Sequence, residues 1–455
     1  MLKKGEIMLQ RKAADKFLQW KKSPDKKALL VTGARQIGKT HAIREFARKN
    51  YKTFLEINFI DTPSAMQIFE GDLDINTLVT ALTAFSQQEL IPGKTLIFFD
   101  EIQECPRART AIKFLVEDGR FDYIESGSLL GVNYKEVPSY PVGFEEVYQM
   151  FPLDFEEFCW ANGIQNETIS YLEECFKNKT CVTEVVHQKM LQIFRYYVII
   201  GGMPAVVQSF VDSHDVAKAL QQQKDIIALY RQDITKYSKN DKERIKDIFD
   251  RIPSELNSKN RRFSLADINT NARMNRYESS FMWLADAGVT LPCYNVKSLS
   301  LPLEPNELRN LMKVFLNDTG LLCAMSIGNV QFDILQGNLE VNMGSITENI
   351  IAQELISNGF KLRYFNRKNL GELDFVIQKN NELIALEIKS GKDYHRHAAL
   401  QKILYSDEWD IKEGYVFCIG NVEVDDKTTY YPLYMIQFLQ QSTMPKSMIV
   451  QVDLP

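Results

Sequence analysis

Residues 29–40 read Leu-Leu-Val-Thr-Gly-Ala-Arg-Gln-Ile-Gly-Lys-Thr, and this stretch decides the fold of the first part of the chain. A short apolar run ends at Gly33, four residues intervene, and Gly38, Lys39 and Thr40 follow, which gives the spacing G-x-x-x-x-G-K-T. Glycines let the backbone wrap a phosphate with its N–H groups turned inward, and the helix that follows adds its positive end. Lys39 is expected to reach the β- and γ-phosphates of ATP, and the Thr40 hydroxyl is expected to bind Mg²⁺. The stretch predicts a phosphate-binding loop formed by Gly33, Ala34, Arg35, Gln36, Ile37, Gly38, Lys39 and Thr40.

A second motif favours this interpretation over a chance glycine-containing turn. Residues 94–101 read Lys-Thr-Leu-Ile-Phe-Phe-Asp-Glu, so that an apolar run ends in two acids. The pattern predicts a buried parallel strand whose carboxyl end carries Asp100 and Glu101. Ligands of open α/β sheets bind at that edge, where the strand before the phosphate-binding loop also ends. We therefore expect Asp100 to hold Mg²⁺ through water and Glu101 to polarise the water that attacks the γ-phosphate.

A further strand is predicted to end in two hydroxyl side chains. Residues 123–128 read Tyr-Ile-Glu-Ser-Gly-Ser, which places Ser126 and Ser128 at the edge of the sheet that binds ligands. Either serine is a candidate for contact with the γ-phosphate or the attacking water. The alternative, that each serine belongs only to a strand-to-loop turn, stays open.

Composition limits the classes of protein to which the chain can belong. Its 455 residues suffice for about three domains, and 45% hydrophobic and 25% charged residues are typical of a globular protein. The net charge of −5 gives no overall attraction to nucleic acid, so any such binding must come from a local basic patch. Seven cysteines without a C-x-x-C pair favour reduced thiols and a cytoplasmic location. We expect no signal peptide and no membrane span, because no run approaches 18 apolar residues.

Five stretches together resemble a large family of prokaryotic AAA-like ATPases: residues 33–40, 96–101, 126–128, 151–158 (Phe-Pro-Leu-Asp-Phe-Glu-Glu-Phe) and 201–204 (Gly-Gly-Met-Pro). In that family a restriction-endonuclease-like domain often follows the ATPase. The resemblance implies an α/β fold, with a P-loop parallel-sheet core over residues 1–158 and a helical lid over residues 159–238. A winged helix over 239–305 and a restriction-endonuclease-like α/β domain over 306–455 complete the expected organisation.

The expected arginine finger is missing from its usual place. AAA-type ATPases commonly carry it between the fourth and fifth strands, but residues 127–160 contain no arginine. Arg107, Arg109 and Arg120, or Arg195 and Arg231 in the lid, are weak substitutes. Because such a residue contributes about 10³–10⁵ in rate, we expect a slow ATPase that acts as a switch or is stimulated by a partner.

Residues 239–276 are basic within an acidic protein, with ten Lys and Arg residues against six Asp and Glu residues. A short helix capped by Ser264, a second helix over 273–287 that ends at Gly288, and a strand-turn-strand pattern over 289–303 predict a winged helix. The Arg273–Arg276 end of the second helix would read DNA. Docking to a protein is an equal alternative.

Two later stretches predict a β-hairpin with a charged face. Residues 371–378 and 383–389 alternate apolar and polar side chains, and Asn380-Asn381 suits a two-residue turn. Phe375 would then lie opposite Leu386, Ile377 opposite Ile384, and Leu373 opposite Ile388, which forms one apolar face. On the other face Asp374 would lie opposite Glu387, and Glu372 opposite Lys389. Two carboxylates so close need a shared proton or a cation, and oxygen ligands suit Mg²⁺ or Mn²⁺.

This constellation resembles the PD-(D/E)xK nuclease superfamily. The resemblance assigns Asp374 and Glu387 as metal ligands, Glu348 on an upstream helix as an auxiliary metal ligand, and Lys389 as the catalytic lysine. Cleavage is not implied by the fold alone, because such domains also serve only to bind DNA. The alternative for the hairpin is a solvent-exposed face that happens to be charged.

Two functions therefore remain in competition. The first is an ATPase whose nucleotide state controls a metal-dependent nuclease that acts on DNA. The second is an ATP-dependent binding switch whose nuclease-like domain only docks to DNA or protein. A remodelling motor is disfavoured by the missing arginine, although a homo-oligomer or a stimulating protein partner is compatible with both readings.

Overall fold

The computed structural model of the chain describes residues 9–127, 139–237, 241–258, 262–263, 274–326 and 343–441. Three β-sheets with flanking helices organise these residues. The first sheet comes from the N-terminal part of the chain, and the other two are built from strands that begin at Thr290 or later. Among the helices described, none combines the length and the apolar character that crossing a bilayer requires.

The first sheet confirms the predicted α/β class. Its strands are β1 Ala28–Thr32, β2 Thr53–Asn58, β3 Thr95–Asp100, β4 Asp122–Ser126 and β5 Glu145–Gln149. All neighbours pair in parallel, in the order β2-β3-β4-β1-β5. The helices that cover its two faces are α1 Ala13–Lys21, α2 Lys39–Asn50, α3 Ile75–Ser86 and α4 Pro106–Asp118. Leu29 and Val31 pack toward α1 and α2, whereas Leu30 packs toward α3 and α4. Every residue of β3 is buried, as a central parallel strand requires.

A run of helices follows the sheet, in the range where a lid is predicted. They are α5 Phe155–Ala161, α6 Asn166–Asn178, α7 Glu184–Ile200, α8 Pro204–Ser213 and α9 Val216–Tyr237. Helix α5 begins in a capping box, in which Asp154 accepts the N–H of Glu157 at 2.9 Å and Glu157 accepts the N–H of Asp154 at 3.3 Å. The Gly201-Gly202-Met203 turn separates α7 from α8.

The basic segment continues into a second, mixed sheet. Helices α10 Lys242–Asn257 and α11 Met274–Asp286 precede strands β6 Thr290–Val296 and β7 Glu307–Leu316, which pair antiparallel. The helix predicted over 273–287 is α11, while Ser264 and Arg273 lie outside the described residues. The predicted wing corresponds to β6 and the turn after it, but β6 also pairs with a strand from the C-terminal part of the chain. The boundary predicted at residue 305 thus falls between two paired strands of one sheet.

The C-terminal residues complete this sheet and form the third. After α12 Thr319–Ser326 come α13 Gly344–Ser357, β8 Arg363–Arg367, β9 Gly371–Leu373, β10 Phe375–Lys379, β11 Glu382–Ile388, α14 Ala398–Leu404, β12 Gly414–Cys418, β13 Glu423–Asp425 and β14 Thr428–Pro432. The second sheet has the order β7-β6-β8-β9, and the third has the order β10-β11-β12-β14-β13. Strands β10 and β11 are antiparallel, whereas β12 runs parallel to β11.

The predicted hairpin is confirmed in its outer part. Phe375 pairs with Leu386 and Ile377 with Ile384, and Asn380 in the turn has the positive φ of 55° that the two-residue loop requires. The register is therefore the one that keeps the apolar side chains on one face.

The inner part of the hairpin prediction is wrong. Leu373 pairs with Phe365 of β8, not with Ile388, and Glu372 pairs with Asn366, not with Lys389. The chain leaves one sheet for the other at Asp374, whose carboxylate accepts the N–H of Ile388 at 2.8 Å. Since this side chain takes the place of a backbone acceptor, the ladder ends there and β9 joins the second sheet.

Candidate nucleotide site and acidic site

Backbone conformation shapes the loop between β1 and α2. Gly33 has a φ of 136° and Gly38 a φ of 86°, both in the region that favours glycine. A Cβ on Gly33 would lie 2.3 Å from the carbonyl oxygen of Met150, so no larger residue fits without moving the backbone. Arg11 fastens the loop from outside, because its Nη1 donates to the carbonyl of Ile37 at 2.9 Å. Contacts within the chain thus fix the shape of the loop.

Lys39 lies inside this loop. Its ammonium donates to the carbonyls of Gly33 at 3.0 Å and Ala34 at 2.9 Å. Burial lowers the pKa of Lys39 to about 8, although Glu101 and Asp100 oppose this shift by attraction. The negative charge of a bound triphosphate would stabilise the protonated form of Lys39 and raise its pKa again, which suits the role predicted for this lysine.

Asp100 collects the polar groups at the carboxyl edge of the first sheet. Its carboxylate accepts hydrogen bonds from Thr40 Oγ1 at 3.2 Å, from Asn58 Nδ2 at 2.9 Å and from the hydroxyl of Ser126. The structure thus brings together three of the residues predicted to surround Mg²⁺ and the γ-phosphate. Ser128 lies outside the described residues. Asn58 was not predicted, although it ends β2 directly beside the strand that ends in Asp100.

Glu101 adjoins this cluster in an unusual backbone conformation. Its φ is 55°, which a non-glycine residue adopts only under local constraint. The backbone N–H of Glu101 donates to Asp100 at 3.2 Å, and its side chain accepts a hydrogen bond from Gln103. These contacts hold the Glu101 carboxylate near the predicted metal and give it a fixed direction.

A cavity of about 740 Å³ opens beside the loop. Its wall runs from Gly38 along α1 and α2 to the first residue of α8. The apolar residues that line it are Leu9, Ala14, Leu18, Ala42, Phe46 and Pro204. This combination of apolar wall and adjacent phosphate loop suits a nucleoside base. Sequence reasoning did not find it, because its residues come from three separate helices and the segment before α1.

Four of the five arginines proposed as substitute fingers have other partners, and Arg195 as a finger stays a prediction. Arg109 is buried in an ion pair with Glu145 at 3.0 Å, and Arg120 pairs with Asp118 at 2.7 Å. Arg107 donates to the carbonyl of Phe69 at 2.6 Å. On helix α9, Arg231 pairs with Asp250 of α10 at 2.8 Å.

The acidic site of the C-terminal part centres on Glu387. Asp374 and Glu387 are 9% and 7% exposed, and Lys389 Nζ lies 2.8 Å from one carboxylate oxygen of Glu387. The other oxygen, Oε2, is buried and has no hydrogen-bond partner among the described residues. Burial, reinforced by the charge of Asp374, raises the pKa of Glu387 to about 8. A cation beside that oxygen would reverse this effect.

Glu348 is held by a lysine that the sequence reasoning missed. Lys313 of β7 is fully buried and lies 3.4 Å from Glu348 and 2.7 Å from Glu372. No three Asp, Glu, His or Cys side chains of the described residues are grouped closely enough to hold a metal ion. Asp374 and Glu387, with its unpartnered oxygen, still fit Mg²⁺, which keeps several waters and needs only one or two carboxylates. Glu348 as a further ligand stays a prediction.

Comparison with known families decides the nature of the first site. Residues 25–159 match the family described as an AAA domain. This part of the chain is an AAA-like P-loop ATPase domain. Beyond it, residues 191–331 match a domain of unknown function, DUF8612, and residues 343–436 match another, DUF4143. Among proteins with curated descriptions, none matches the chain.

Solved structures give distant likenesses. The Walker-type ATPase PABY2304 of Pyrococcus abyssi is 13% identical, with 70% of this chain and 96% of that chain covered and a TM-score of 0.41. ORC1 of Aeropyrum pernix, solved in complex with DNA, is 11% identical, with 73% of this chain and 95% of that chain covered and a TM-score of 0.27. The signal-transduction ATPase PH0952 of Pyrococcus horikoshii, with a tetratricopeptide-repeat sensor, is 11% identical. The match covers 77% of this chain and 46% of that chain, with a TM-score of 0.25. We therefore infer function from the geometry of this chain, not from these neighbours.

A buried junction joins the AAA-like domain to the residues that follow it. The carboxylate of Asp318 accepts the N–H of Gly202 at 2.6 Å, and Gly202 O accepts the N–H of Leu153 at 2.7 Å. A Cβ on Gly202 would lie 2.0 Å from Leu153 O, so only glycine permits this approach. Burial raises the pKa of Asp318 to about 6.

A second buried acid occupies the same junction. Glu354 of α13 accepts the N–H of Phe155, the first residue of α5, at 2.9 Å and the hydroxyl of Tyr197 on α7 at 2.9 Å. Burial, with the nearby charge of Asp154, raises the pKa of Glu354 to about 8. The carboxyl group of Glu354 therefore connects the C-terminal helix α13 to the AAA-like domain and to helix α7.

Proposed function

We propose that the chain hydrolyses ATP at the loop of the AAA-like domain and uses the nucleotide state to control its C-terminal part. Lys39 would bind the β- and γ-phosphates, Thr40 and Asp100 would hold Mg²⁺, and Glu101 would orient the attacking water. The cluster around Asp100, with Thr40, Asn58 and the hydroxyl of Ser126, carries this proposal. The adenine would enter the apolar cavity beside Gly38.

The test is ATP turnover and nucleotide binding by the whole chain. Glu101→Gln is expected to lower kcat by about 10²–10⁴-fold while leaving binding of a fluorescent ATP analogue intact. Lys39→Ala is expected to lose binding. Wild-type turnover should stay below about 10 per second, because no finger is present between the fourth and fifth strands. Failure of the wild-type chain to bind or hydrolyse ATP would refute the proposal.

The buried junction would transmit the nucleotide state. Asp318 and Glu354 are buried, and each contacts the AAA-like domain or the turn after α7 through hydrogen bonds. Hydrogen bonds to buried acids are directional and costly to leave unmade, so a shift of α7 cannot leave these acids unaffected. A movement of the lid would therefore change the hydrogen bonds of α13, the helix that carries Glu348.

For the C-terminal part we propose a metal-dependent nuclease that acts on DNA. Helix α13 carries Glu348 and precedes the antiparallel strands β10 and β11, which is the helix-and-hairpin order on which the resemblance to the PD-(D/E)xK superfamily rests. The unpartnered buried oxygen of Glu387, beside Asp374 and Lys389, supports a Mg²⁺ or Mn²⁺ site. The metal would polarise a phosphodiester, and Lys389 would stabilise the charge that develops on it.

Cleavage of plasmid and branched DNA, with Mg²⁺ or Mn²⁺ and with or without ATP, tests this assignment. An Asp374→Ala/Lys389→Ala variant is expected to lose the activity, whereas Lys412→Ala, which alters a lysine that is 73% exposed and pairs with Glu382, is expected to keep it. Equal background cleavage by the wild type and the double variant would refute the proposed nuclease activity.

A binding switch without cleavage is the second candidate. The observation that favours it is the ion pair that Glu348 makes with the buried ammonium of Lys313 at 3.4 Å. A nucleotide-dependent change in DNA or protein binding, with no cleavage in either metal, would select this function.

A further inference from the structure

Arg35 of the phosphate-binding loop makes two contacts with the lid helix α9, one to Asp233 and one to Tyr230, which together we call the clasp. Its Nη1 lies 2.7 Å from a carboxylate oxygen of Asp233, and its backbone carbonyl accepts the hydroxyl of Tyr230 at 3.1 Å. The side chains of Arg35 and Asp233 are 30% and 15% exposed. Helix α9 therefore holds both the side chain and the backbone of one loop residue.

The guanidinium of Arg35 shares the electrostatic environment of the phosphate site. Arg35 directly follows Ala34, whose carbonyl accepts the ammonium of Lys39 at 2.9 Å. The charge of Arg35 also makes a small contribution to the lowered pKa of Lys39, which burial dominates. A bound anion would relieve the repulsion between the two cations. A triphosphate would attract Arg35 away from Asp233, because arginine binds phosphate with charge-assisted, often bidentate hydrogen bonds.

The other arginines whose contacts are described have other partners. Arg11, which touches the loop at the carbonyl of Ile37, also binds Glu157 and the carbonyl of Phe151. Arg109, Arg120 and Arg231 are committed to ion pairs with acids near them, and residues 127–160 hold no arginine. Arg35 is different because its partner lies on the lid, so that an exchange of partners would also release α9.

We propose that Arg35 is a phosphate-binding arginine supplied in cis, which exchanges Asp233 for the γ-phosphate when ATP binds and returns to Asp233 after phosphate leaves. This rests on the proposed ATPase function and names the residue that couples it to the lid. In the reaction, water oxygen bonds to the γ-phosphorus while the bond to the β–γ bridging oxygen breaks and ADP leaves with that electron pair. The proton of water passes toward Glu101, and Arg35 stays protonated throughout, donating hydrogen bonds to the transferred group.

The surroundings of the clasp supply a reporter. Trp283 of α11 lines the same small cavity as Arg35, Tyr230 and Asp233. Opening of the clasp would change the environment of this indole. An ATP-induced fluorescence change that disappears in Trp283→Phe would therefore report the exchange of partners.

Paired substitutions separate this proposal from a merely structural clasp. Arg35→Gln is expected to lower kcat by about 10²–10³-fold while changing ADP affinity by less than about 3-fold, and Arg35→Lys should recover part of the rate. Asp233→Asn removes the competing acid, so it should raise ATP affinity about 2–5-fold and abolish the Trp283 signal. Arg231→Gln, on the same helix, serves as the matched control and should match the wild type.

The opposite directions of the two effects decide the outcome. A clasp that only supports the fold would make Arg35→Gln and Asp233→Asn equally damaging, and that result would overturn the proposal. Wild-type turnover by Arg35→Gln would overturn it as well. If the wild-type chain itself neither binds nor hydrolyses ATP, the ATPase function fails, and both proposals fall together. Thermal unfolding of each variant checks that a loss of rate is not a loss of fold.

Discussion

Replacement of Glu354 by glutamine should change how the stability of the chain depends on pH. One carboxylate oxygen, Oε1, accepts the N–H of Phe155 and the hydroxyl of Tyr197, both at 2.9 Å. The other, Oε2, is buried without a hydrogen-bond partner in the part of the chain that the structure describes. The protonated acid and a glutamine therefore present the same acceptor oxygen to Phe155 on α5 and Tyr197 on α7. The added hydrogen of the acid, or the NH₂ group of glutamine, takes the position of Oε2.

The magnitude follows from the pKa of Glu354, which burial and Asp154 raise from its ordinary value of 4.5 to about 8. For an acid whose pKa is higher in the folded state, the folded state binds the extra proton, so stability is greatest below pH 4.5 and falls as the pH rises toward 8. At about 1.4 kcal/mol per pH unit, the gap corresponds to about 5 kcal/mol in total, of which about 4 kcal/mol falls between pH 5 and pH 9. Glutamine does not titrate, so the variant should not lose this part of its free energy of unfolding as the pH rises.

The assay compares thermal unfolding of the wild type and Glu354→Gln at pH 5 and pH 9. Other groups titrate equally in both proteins, so the quantity of interest is the change in the difference between their Tm values. If the chain unfolds as one unit of this size, the difference should move by about 4–8 °C in favour of the variant at pH 9. A Tm difference that stays constant between the two pH values would refute the buried, protonated state of Glu354.

Two further predictions concern the junction and the acidic site. Gly202→Ala should destabilise the chain by about 3 kcal/mol, because its Cβ would lie 2.0 Å from Leu153 O, and unfolding should show no comparable loss for Gly391→Ala, whose Cβ meets no described atom within 4 Å. Lys313→Met should cost about 3–5 kcal/mol by removing the buried lysine beside Glu348, and the Lys313→Met/Glu348→Met double variant should recover much of that loss in the same unfolding measurement. A double variant less stable than Lys313→Met would contradict the ion-pair explanation.

The nucleotide site was accessible from the sequence because its chemistry is local. The loop from Gly33 to Thr40 is contiguous, and its glycines are required by backbone conformations that only a few residues adopt. Asp100 and Glu101 could be placed at the same edge because parallel strands end together there. Asn58 obeys the same rule and could have been found by applying it to β2.

The acidic site was predictable only in part. Alternation fixed the pairing of Phe375 with Leu386, since a slip by one residue would have exposed the apolar face. The departure of β9 at Asp374 was not visible, because the competing partner β8 is as suitable a neighbour as β11 and only the packed fold chooses between them. Lys313 gave one signal that was overlooked, a lysine inside the apolar run of residues 311–316.

What the sequence alone determined is the set of local structures: the phosphate loop, the acid-tipped strand, and the face of each strand that must be buried. These depend on spacing and backbone preference over a few residues, so they are readable without a partner. The tertiary structure decided which distant groups meet, including Arg35 with Asp233, Asp318 with Gly202, and Glu354 with Tyr197. Such contacts join residues more than a hundred positions apart, and they form only where the packing of whole helices and sheets brings their side chains within hydrogen-bond reach.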